Sequence, residues 1–362
     1  MRPPFLPGSY LVVELTNRCS LKCVHCSVSE GAAHPHHTVS GYIDTGMVLG
    51  LFDDLVDVGA RFDTLILFWL GEPLLHKDWS RIYRAALRAS AEHGVFRQVE
   101  VHTNGTHLSL DKTRAALNSG PVRQVWHFSL DASRTDTYLR VKGLQRFEQV
   151  ENNIARFIEW KGRTGARWPR PVFQFIVGSN NVDEVPSFRR RWEAACRRAG
   201  LPVRSVAQNV PDGDDAIVFF RQLDCPTAEE QARENAVFRA AMEREGLPVL
   251  REEKSAVAVE ASNTSPCSGF WKSPVIGWLG DVTTCTRDNL LENSVGSLRD
   301  SKFSELWWGG VMAGRRQRVS GGDYSGMPTC TTCFIPKSSN YTDLSVDEIE
   351  EQAAFDDKVA AK

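Results

Sequence analysis

Short apolar runs alternate with amphipathic stretches through the first two hundred residues of the chain. Runs near 10–15, 64–69, 98–103, 123–130, 171–177 and 203–207 are rich in Val, Ile, Leu, Phe and Trp, and they predict six β-strands. The intervening stretches, such as Trp79 to His93 and Phe147 to Lys161, place apolar residues three and four apart and predict helices with one buried face. Strand–helix–strand repeats build a parallel sheet with helices outside it. In such folds the functional loops follow the C-terminal ends of the strands. Around Asn209 to Ala216 the chain turns polar and Gly/Asp-rich, and a helix is expected from about Pro226 to Glu245, with Thr227 and Glu230 forming a capping box. After Tyr341 the sequence is acidic, then Ala/Lys-rich, which predicts a poorly ordered tail or a closing helix.

Candidate chemistry appears directly after the first strand. Cys19, Cys23 and Cys26 stand in C-x3-C-x2-C spacing within ELTNRCSLKCVHCS. Three thiolates on one short loop can hold three irons of a [4Fe–4S] cluster and leave the fourth iron open. Closely spaced cysteines also serve zinc, but a structural zinc site usually takes four protein ligands, and here only His25 could be the fourth.

Further segments carry a family resemblance. The cysteine loop is similar to the signature of the radical S-adenosylmethionine (SAM) superfamily. That resemblance implies that the open iron binds the amino and carboxylate groups of SAM. One electron then cleaves SAM to methionine and a 5'-deoxyadenosyl radical, which takes a hydrogen atom from the substrate. After the second strand, Leu70, Gly71, Glu72 and Pro73 resemble the family's GGEP, whose backbone and Glu approach the SAM amino group; Leu70 departs from the pattern. Thr103, Asn104 and Gly105 match a TNG at the end of the third strand, and Ser129 and Asp131 match an SxD that lines the SAM pocket. YLRVKG resembles YxxIRG, whose Arg can pair with the SAM carboxylate. Lys142 holds that position here and Arg140 lies two residues earlier, and Lys lacks the bidentate fork of Arg.

A second cysteine set lies downstream at Cys267, Cys285, Cys330 and Cys333, with Gly280 between the first two. It resembles the twitch domain, a shortened SPASM domain, and the flanking VGSL (Val295 to Leu298) and FSELWWGG (Phe303 to Gly310) agree. The resemblance implies one auxiliary [4Fe–4S] cluster, fully ligated by protein and suited to moving electrons. A structural zinc on the same four thiolates is the alternative. The implied architecture is α/β: a partial (β/α)6 radical SAM barrel over 1–215, a bridging helix segment over 216–255, a twitch domain over 256–340 and a C-terminal tail over 341–362. The implied cofactors are two [4Fe–4S] clusters and SAM, and the implied protein partner is an electron donor such as flavodoxin or ferredoxin.

Composition narrows the alternatives. A net charge of −2 offers no footprint for nucleic acid, and no apolar stretch reaches membrane-spanning length. The start MRPPFLPGSY lacks the apolar core of a signal peptide, and seven of nine cysteines assigned to clusters require a reducing compartment, so a cytoplasmic enzyme is expected.

Two cysteines remain. Cys196 shares a helical face with Phe188, Trp192 and Ala199 and is expected in the core. Cys225 lies in a connector after the last strand, where it is either a small buried residue or a thiol facing substrate. A thiol that returns hydrogen to a carbinol radical inverts the centre and makes an epimerase. Without it, the radical loses an electron and the product is a ketone, the work of a dehydrogenase. The resemblance to radical SAM enzymes that tailor aminoglycosides and related sugars spans both outcomes. The expected substrate is therefore a small-molecule carbohydrate: a sugar, aminocyclitol or glycosylated natural product, in antibiotic or other secondary-metabolite biosynthesis. Peptide modification is a further alternative, although residues 1–18 are too few for an N-terminal peptide-recognition domain. Glu14, Asn17, His102, His127, Gln174 and Asn209 are candidates for proton management. His34, His36 and His37 sit in a Gly/Ala/Pro loop that reads as a solvent or lid loop, not a metal site.

Overall fold

A computed structural model describes residues 2–26, 38–117, 120–225, 227–249, 266–333 and 344–360. The chain divides into two compact units, one of residues 1–19, 30–100 and 258–362, the other of residues 20–29 and 101–257. The first unit begins with β1 (Tyr10–Val13), α1 (Thr45–Asp57), β2 (Phe62–Leu67) and α2 (Trp79–His93). The chain passes to the second unit within β3 (Phe96–Thr103). β1 and β2 are parallel, with Tyr10 opposite Thr64 and Val12 opposite Ile66. Asp44 starts α1 by accepting from the Met47 amide (2.9 Å), and Gly94 ends α2 in the left-handed conformation.

The second unit continues with α3 (Leu110–Leu117), β4 (Arg123–Ser129), α4 (Thr135–Lys142), α5 (Phe147–Thr164), β5 (Arg170–Val177), α6 (Val185–Arg198), β6 (Val203–Ala207), β7 (Ala216–Gln222) and α7 (Ala228–Arg244). Its strands are all parallel, in the order β4-β5-β7-β6. Period-2 alternation sends Trp126, Phe128, Phe173, Phe175 and Phe220 to the helical face, where Phe157 of α5 and Phe188 and Trp192 of α6 cover them. The other face carries Val125, Val172, Ile217 and Phe219.

The apolar pattern predicts six strands, whereas β7 is a seventh, inserted between β5 and β6. Its residues AIVFFRQ open the stretch expected as a bridging helix segment, and the polar Gly/Asp-rich run before them is a tight return across the sheet. The fully buried Arg170 guanidinium holds that return by donating to the carbonyls of Pro211 (2.6 Å) and Asp215 (2.6 Å) and to the Asp215 carboxylate (2.9 Å).

Back in the first unit, the chain forms α8 (Gly269–Lys272), β8 (Val275–Ile276), β9 (Asp281–Thr283), β10 (Gly296–Ser297), α9 (Phe303–Trp307), α10 (Gly310–Ser320), α11 (Pro328–Thr332) and α12 (Val346–Ala360). β8 adds in parallel to β1, with Val12 opposite Val275, and β9 and β10 continue antiparallel. Val12, Trp69, Val275 and Leu291 form a core against which Leu70 packs. Leu70 therefore contributes to packing at the position where the family pattern has glycine. The closing helix α12 is fastened by a buried Arg316–Asp356 pair (3.0 Å) and by Lys272–Glu348 (2.7 Å). Among the described residues, no helix is long and apolar enough to cross a membrane.

Candidate active site

Within each unit, backbone contacts order the part of the cysteine loop that belongs to it. In the first unit the Glu72 amide donates to the Arg18 carbonyl (2.8 Å), directly before Cys19. A Cβ on Gly71 would lie 2.0 Å from the Thr16 carbonyl oxygen, so only glycine permits this approach. The buried Glu72 carboxylate accepts from the Leu74 amide (3.0 Å) and caps the turn that begins at Pro73. In the second unit, the amides of Lys22 and Val24 donate to the carbonyls of Lys142 and Val141 (3.0 and 3.1 Å). Gly143, at φ +74°, is required there, because its Cβ would lie 2.1 Å from the Lys22 carbonyl oxygen. The TNG segment reaches the same loop: Asn104 donates to Ser20 Oγ (3.3 Å), Ser20 and Thr106 hydroxyls share a 2.6 Å bond, and Thr103 Oγ1 accepts from the Gly105 amide (3.0 Å). Cys19 is exposed and Cys23 and Cys26 are half-buried, as thiols open to an incoming cofactor must be.

Beyond the end of β4, Asp131 is held at φ +58°, a conformation that its partners over-determine. Its carboxylate accepts from the Ile176 amide (2.7 Å) and its carbonyl from Asn181 (2.9 Å). The buried Lys142 ammonium pairs with Asp131 and donates to Ser129 Oγ (3.0 Å). Burial works against that charge, but Asp131 and the Cys23 sulfur outweigh it and hold Lys142 above the ordinary lysine range. The Cys23 thiol is pushed up by burial and drawn back by Lys142. Arg140 turns outward instead, donating to Thr137 Oγ1 and the Asn180 carbonyl (3.0 Å each). Of the two cations that sequence could not separate, Lys142 is the one joined to Ser129 and Asp131.

The second cysteine set converges into one cradle, with Cys267 buried and Cys285, Cys330 and Cys333 half-buried. Cys330 feels the charges of Cys267, Cys285 and Cys333, and burial, the larger cause, pushes its thiol and that of Cys267 up to about 12. Thiols packed this way ionise only when a cationic centre compensates them, so the donor set fits an iron–sulfur cluster held entirely by protein. The cradle already offers hydrogen bonds to sulfur, from the Arg287 amide to Cys285 (3.4 Å) and from Asn293 Nδ2 to Cys330 (3.2 Å). The Cys267 amide donates to Tyr324 Oη (3.1 Å). Asn293, Tyr324, Asp288 and Arg315 belong to no recognisable motif. Trp69, just past β2, donates its indole N–H to the Thr286 carbonyl (3.1 Å), beside Cys285.

The remaining candidates separate by surroundings. Cys196 is fully buried on α6 with Phe188 and Trp192, and burial pushes its thiol up to about 12. Cys225 is half-buried beyond the end of β7, its amide donating to Gln231 Oε1 (2.9 Å). Burial raises its pKa, and Glu234, Glu230 and Asp224 add to the shift. Glu14 accepts from the Trp278 amide (3.0 Å), and Asn17 ties the segment around Val39 and Gly41, so both serve as local structure. His102 and His127 stack with centroids 4.2 Å apart, and His127 also meets Phe219 edge-on. Alternation places Gln174 on that same face of the sheet, and Asn209 lies in the return after β6. His34, His36 and His37 lie outside the described residues.

An open three-cysteine loop beside a Ser–Asp–Lys cluster, with a separate four-cysteine cradle, defines a class. Residues 13–184 match the radical SAM superfamily and residues 267–334 match the SPASM iron–sulfur cluster-binding domain. The chain carries a radical SAM domain and a SPASM domain, is a radical SAM enzyme, and takes SAM and [4Fe–4S] clusters as cofactors. Among curated proteins it is similar to those named GTP 3',8-cyclase. That of Corynebacterium glutamicum is 26% identical over 81% of this chain and 72% of its own length, and that of Thermodesulfovibrio yellowstonii 26% over 82% of each. That of Desulforamulus reducens is 28% identical over 42% of this chain, which spans only 43% of that relative. Among solved structures it is similar in fold to Streptococcus suis SuiB bound to S-adenosylmethionine (13% identical, TM-score 0.56, covering 93% of this chain and 72% of that one). It is likewise similar to anSMEcpe with bound AdoMet (13% identical, TM-score 0.56, covering 99% and 97%).

Proposed function

We propose that this enzyme removes a hydrogen atom from a carbinol carbon of a sugar, aminocyclitol or glycosylated natural product, and epimerises that carbon with Cys225 as hydrogen donor. The observation that carries this reading is the state and place of Cys225. A hydrogen-atom donor must keep its S–H, and burial together with three nearby carboxylates favours the thiol over the thiolate. The loop follows the C-terminal end of β7, the edge of the parallel sheet where Ser129 and Asp131 also follow β4. Cys196 is fully buried and cannot serve.

Cys19, Cys23 and Cys26 would hold the SAM-binding cluster, and Cys267, Cys285, Cys330 and Cys333 the auxiliary one. Once bound and reduced by one electron, SAM supplies the hydrogen-abstracting species. Gly71, Glu72 and Pro73 shape the backbone for the SAM amino end, while Thr103 and Asn104 steady the cysteine loop. Ser129 and Asp131 orient Lys142 toward the carboxylate end, and Arg140 stands aside. After abstraction, the Cys225 S–H bond breaks as the new C–H bond forms on the opposite face. The sulfur radical regains its hydrogen as one proton from solvent and one electron from a donor such as flavodoxin or ferredoxin.

A second reading, action on a purine nucleoside triphosphate, is favoured by the GTP 3',8-cyclase names of the relatives. One anaerobic assay in D2O separates the readings, using reconstituted enzyme, SAM, reductant and a panel of aminoglycosides, oligosaccharides and GTP. An epimerase yields product about one mass unit heavier, whereas a dehydrogenase yields product about two units lighter. Conversion of GTP alone would overturn the carbohydrate reading. The Cys225→Ala enzyme should still form 5'-deoxyadenosine but lose inversion, and unchanged inversion would remove Cys225 from the mechanism.

A further inference from the structure

The auxiliary cradle contains a polar side chain that packing alone does not require. Asn293 is 1% exposed, its Nδ2 lies 3.2 Å from Cys330 Sγ, and its Oδ1 has no hydrogen-bond partner among the described residues. Burying an amide with an idle oxygen is costly, so the orientation is informative: the N–H is aimed at sulfur.

Several groups fix that aim. The buried Asp288 carboxylate accepts from the amides of Glu292 and Asn293 (3.0 Å each), from Thr283 Oγ1, and from Thr329 Oγ1 (2.6 Å), the neighbour of Cys330. Both ends of the Asn293–Cys330 contact are thus tied to one carboxylate. Arg315 donates to the carbonyls of Asn293 and Ser294 and sets its positive charge near Cys330 and Asp288.

Reducing an iron–sulfur cluster adds one electron, and much of that charge resides on sulfur. N–H donors and nearby cations stabilise the reduced form and raise the potential. We propose that Asn293 is a positioning residue that raises the reduction potential of the auxiliary cluster through its N–H···S bond to Cys330, with Asp288 fixing its geometry and Arg315 reinforcing its effect. This rests on Cys267, Cys285, Cys330 and Cys333 being the ligands of that cluster. Its consequence is an auxiliary centre that accepts an electron more readily than the four cysteine thiolates alone would allow.

The test uses the full chain with Cys19, Cys23 and Cys26 each changed to Ala, so that only the auxiliary cluster remains. Redox titration followed by electron paramagnetic resonance then compares Asn293 with Asn293→Leu, close in size but without the donor. The midpoint should fall by an amount corresponding to about threefold to tenfold in the reduction equilibrium, where tenfold is about 59 mV for a one-electron couple. An unchanged midpoint at full iron content would overturn the proposal while leaving the ligand assignment intact. If no cluster forms even with Asn293 present, the ligand assignment fails and the proposal falls with it. Should Asn293→Leu lose iron, Asn293→Asp preserves the shape but turns an acceptor toward sulfur. Its midpoint should fall further, and an unchanged value would again overturn the proposal.

Discussion

The two cysteine sets solve opposite problems. Cys19, Cys23 and Cys26 lie on a loop whose thiols remain partly open and whose order comes from backbone bonds to Arg18, Lys142 and Val141. Cys267, Cys285, Cys330 and Cys333 line a cradle assembled from residues distant in the chain, Cys267 buried and the other three half-buried, with the thiols of Cys267 and Cys330 raised by burial. The first arrangement spends its order on leaving a position open, and the second on closing every position. Access explains the difference: chemistry at a metal needs a free coordination site, whereas electron transfer needs only proximity and a stable potential.

The sharpest way to break this contrast is to remove one thiol from each set. Cys23→Ala and Cys330→Ala should each lower iron content from about eight to about four atoms per chain, with the loss confined to one cluster. Loss of both clusters from either variant, measured by iron analysis and spectroscopy, would show that the sites do not assemble separately.

A smaller effect is expected from Lys142→Met, which leaves the buried Asp131 without its cation. Breaking a buried pair costs about 3–5 kcal/mol of folding stability, read in denaturant unfolding, and SAM affinity by equilibrium dialysis should fall as well. Arg140→Ala should change it little, because exposed pairings contribute about 0–1 kcal/mol. Equal losses in the two variants would mean that the outward Arg140 also reaches the cofactor. In the cradle half, Asp356→Ala strands the buried Arg316 and should cost about 3–5 kcal/mol in thermal or denaturant unfolding.

Gly143→Ala comes next. A left-handed backbone and a Cβ 2.1 Å from the Lys22 carbonyl oxygen should cost about 1–3 kcal/mol. Iron should be lost from the first cluster, with the second retained. Full occupancy of both would show that the loop docks without this contact.

Legibility in the sequence followed the length scale of the signal. The motif cysteines, the TNG and SxD segments and the parallel strands stand in local patterns, and most strand and helix positions agree to within a few residues. β7 was hidden because residues 209–215 are polar and Gly/Asp-rich, and only the buried Arg170 shows why the chain can turn back there. The substitution of Lys142 for arginine was visible, but its choice over Arg140 depended on which side chain points inward. Asn293 and Asp288 carry no motif, since their meaning arises only when the segment around Cys330, 37 residues beyond Asn293, folds against them. Leu70, a mismatch in the family pattern, is explained by the core of Val12, Val275 and Leu291.

The pairing of Val12 with Val275 also bears on how the molecule is made. One edge of the strand that precedes the first cysteine loop stays uncovered during synthesis until residues 275 and 276 emerge. An uncovered edge is a template for wrong partners, and long-range pairing is slow to form. A nascent chain halted before that point should aggregate more readily than the finished one. Iron delivered too early would meet a thiol loop whose supporting strand is still half-paired.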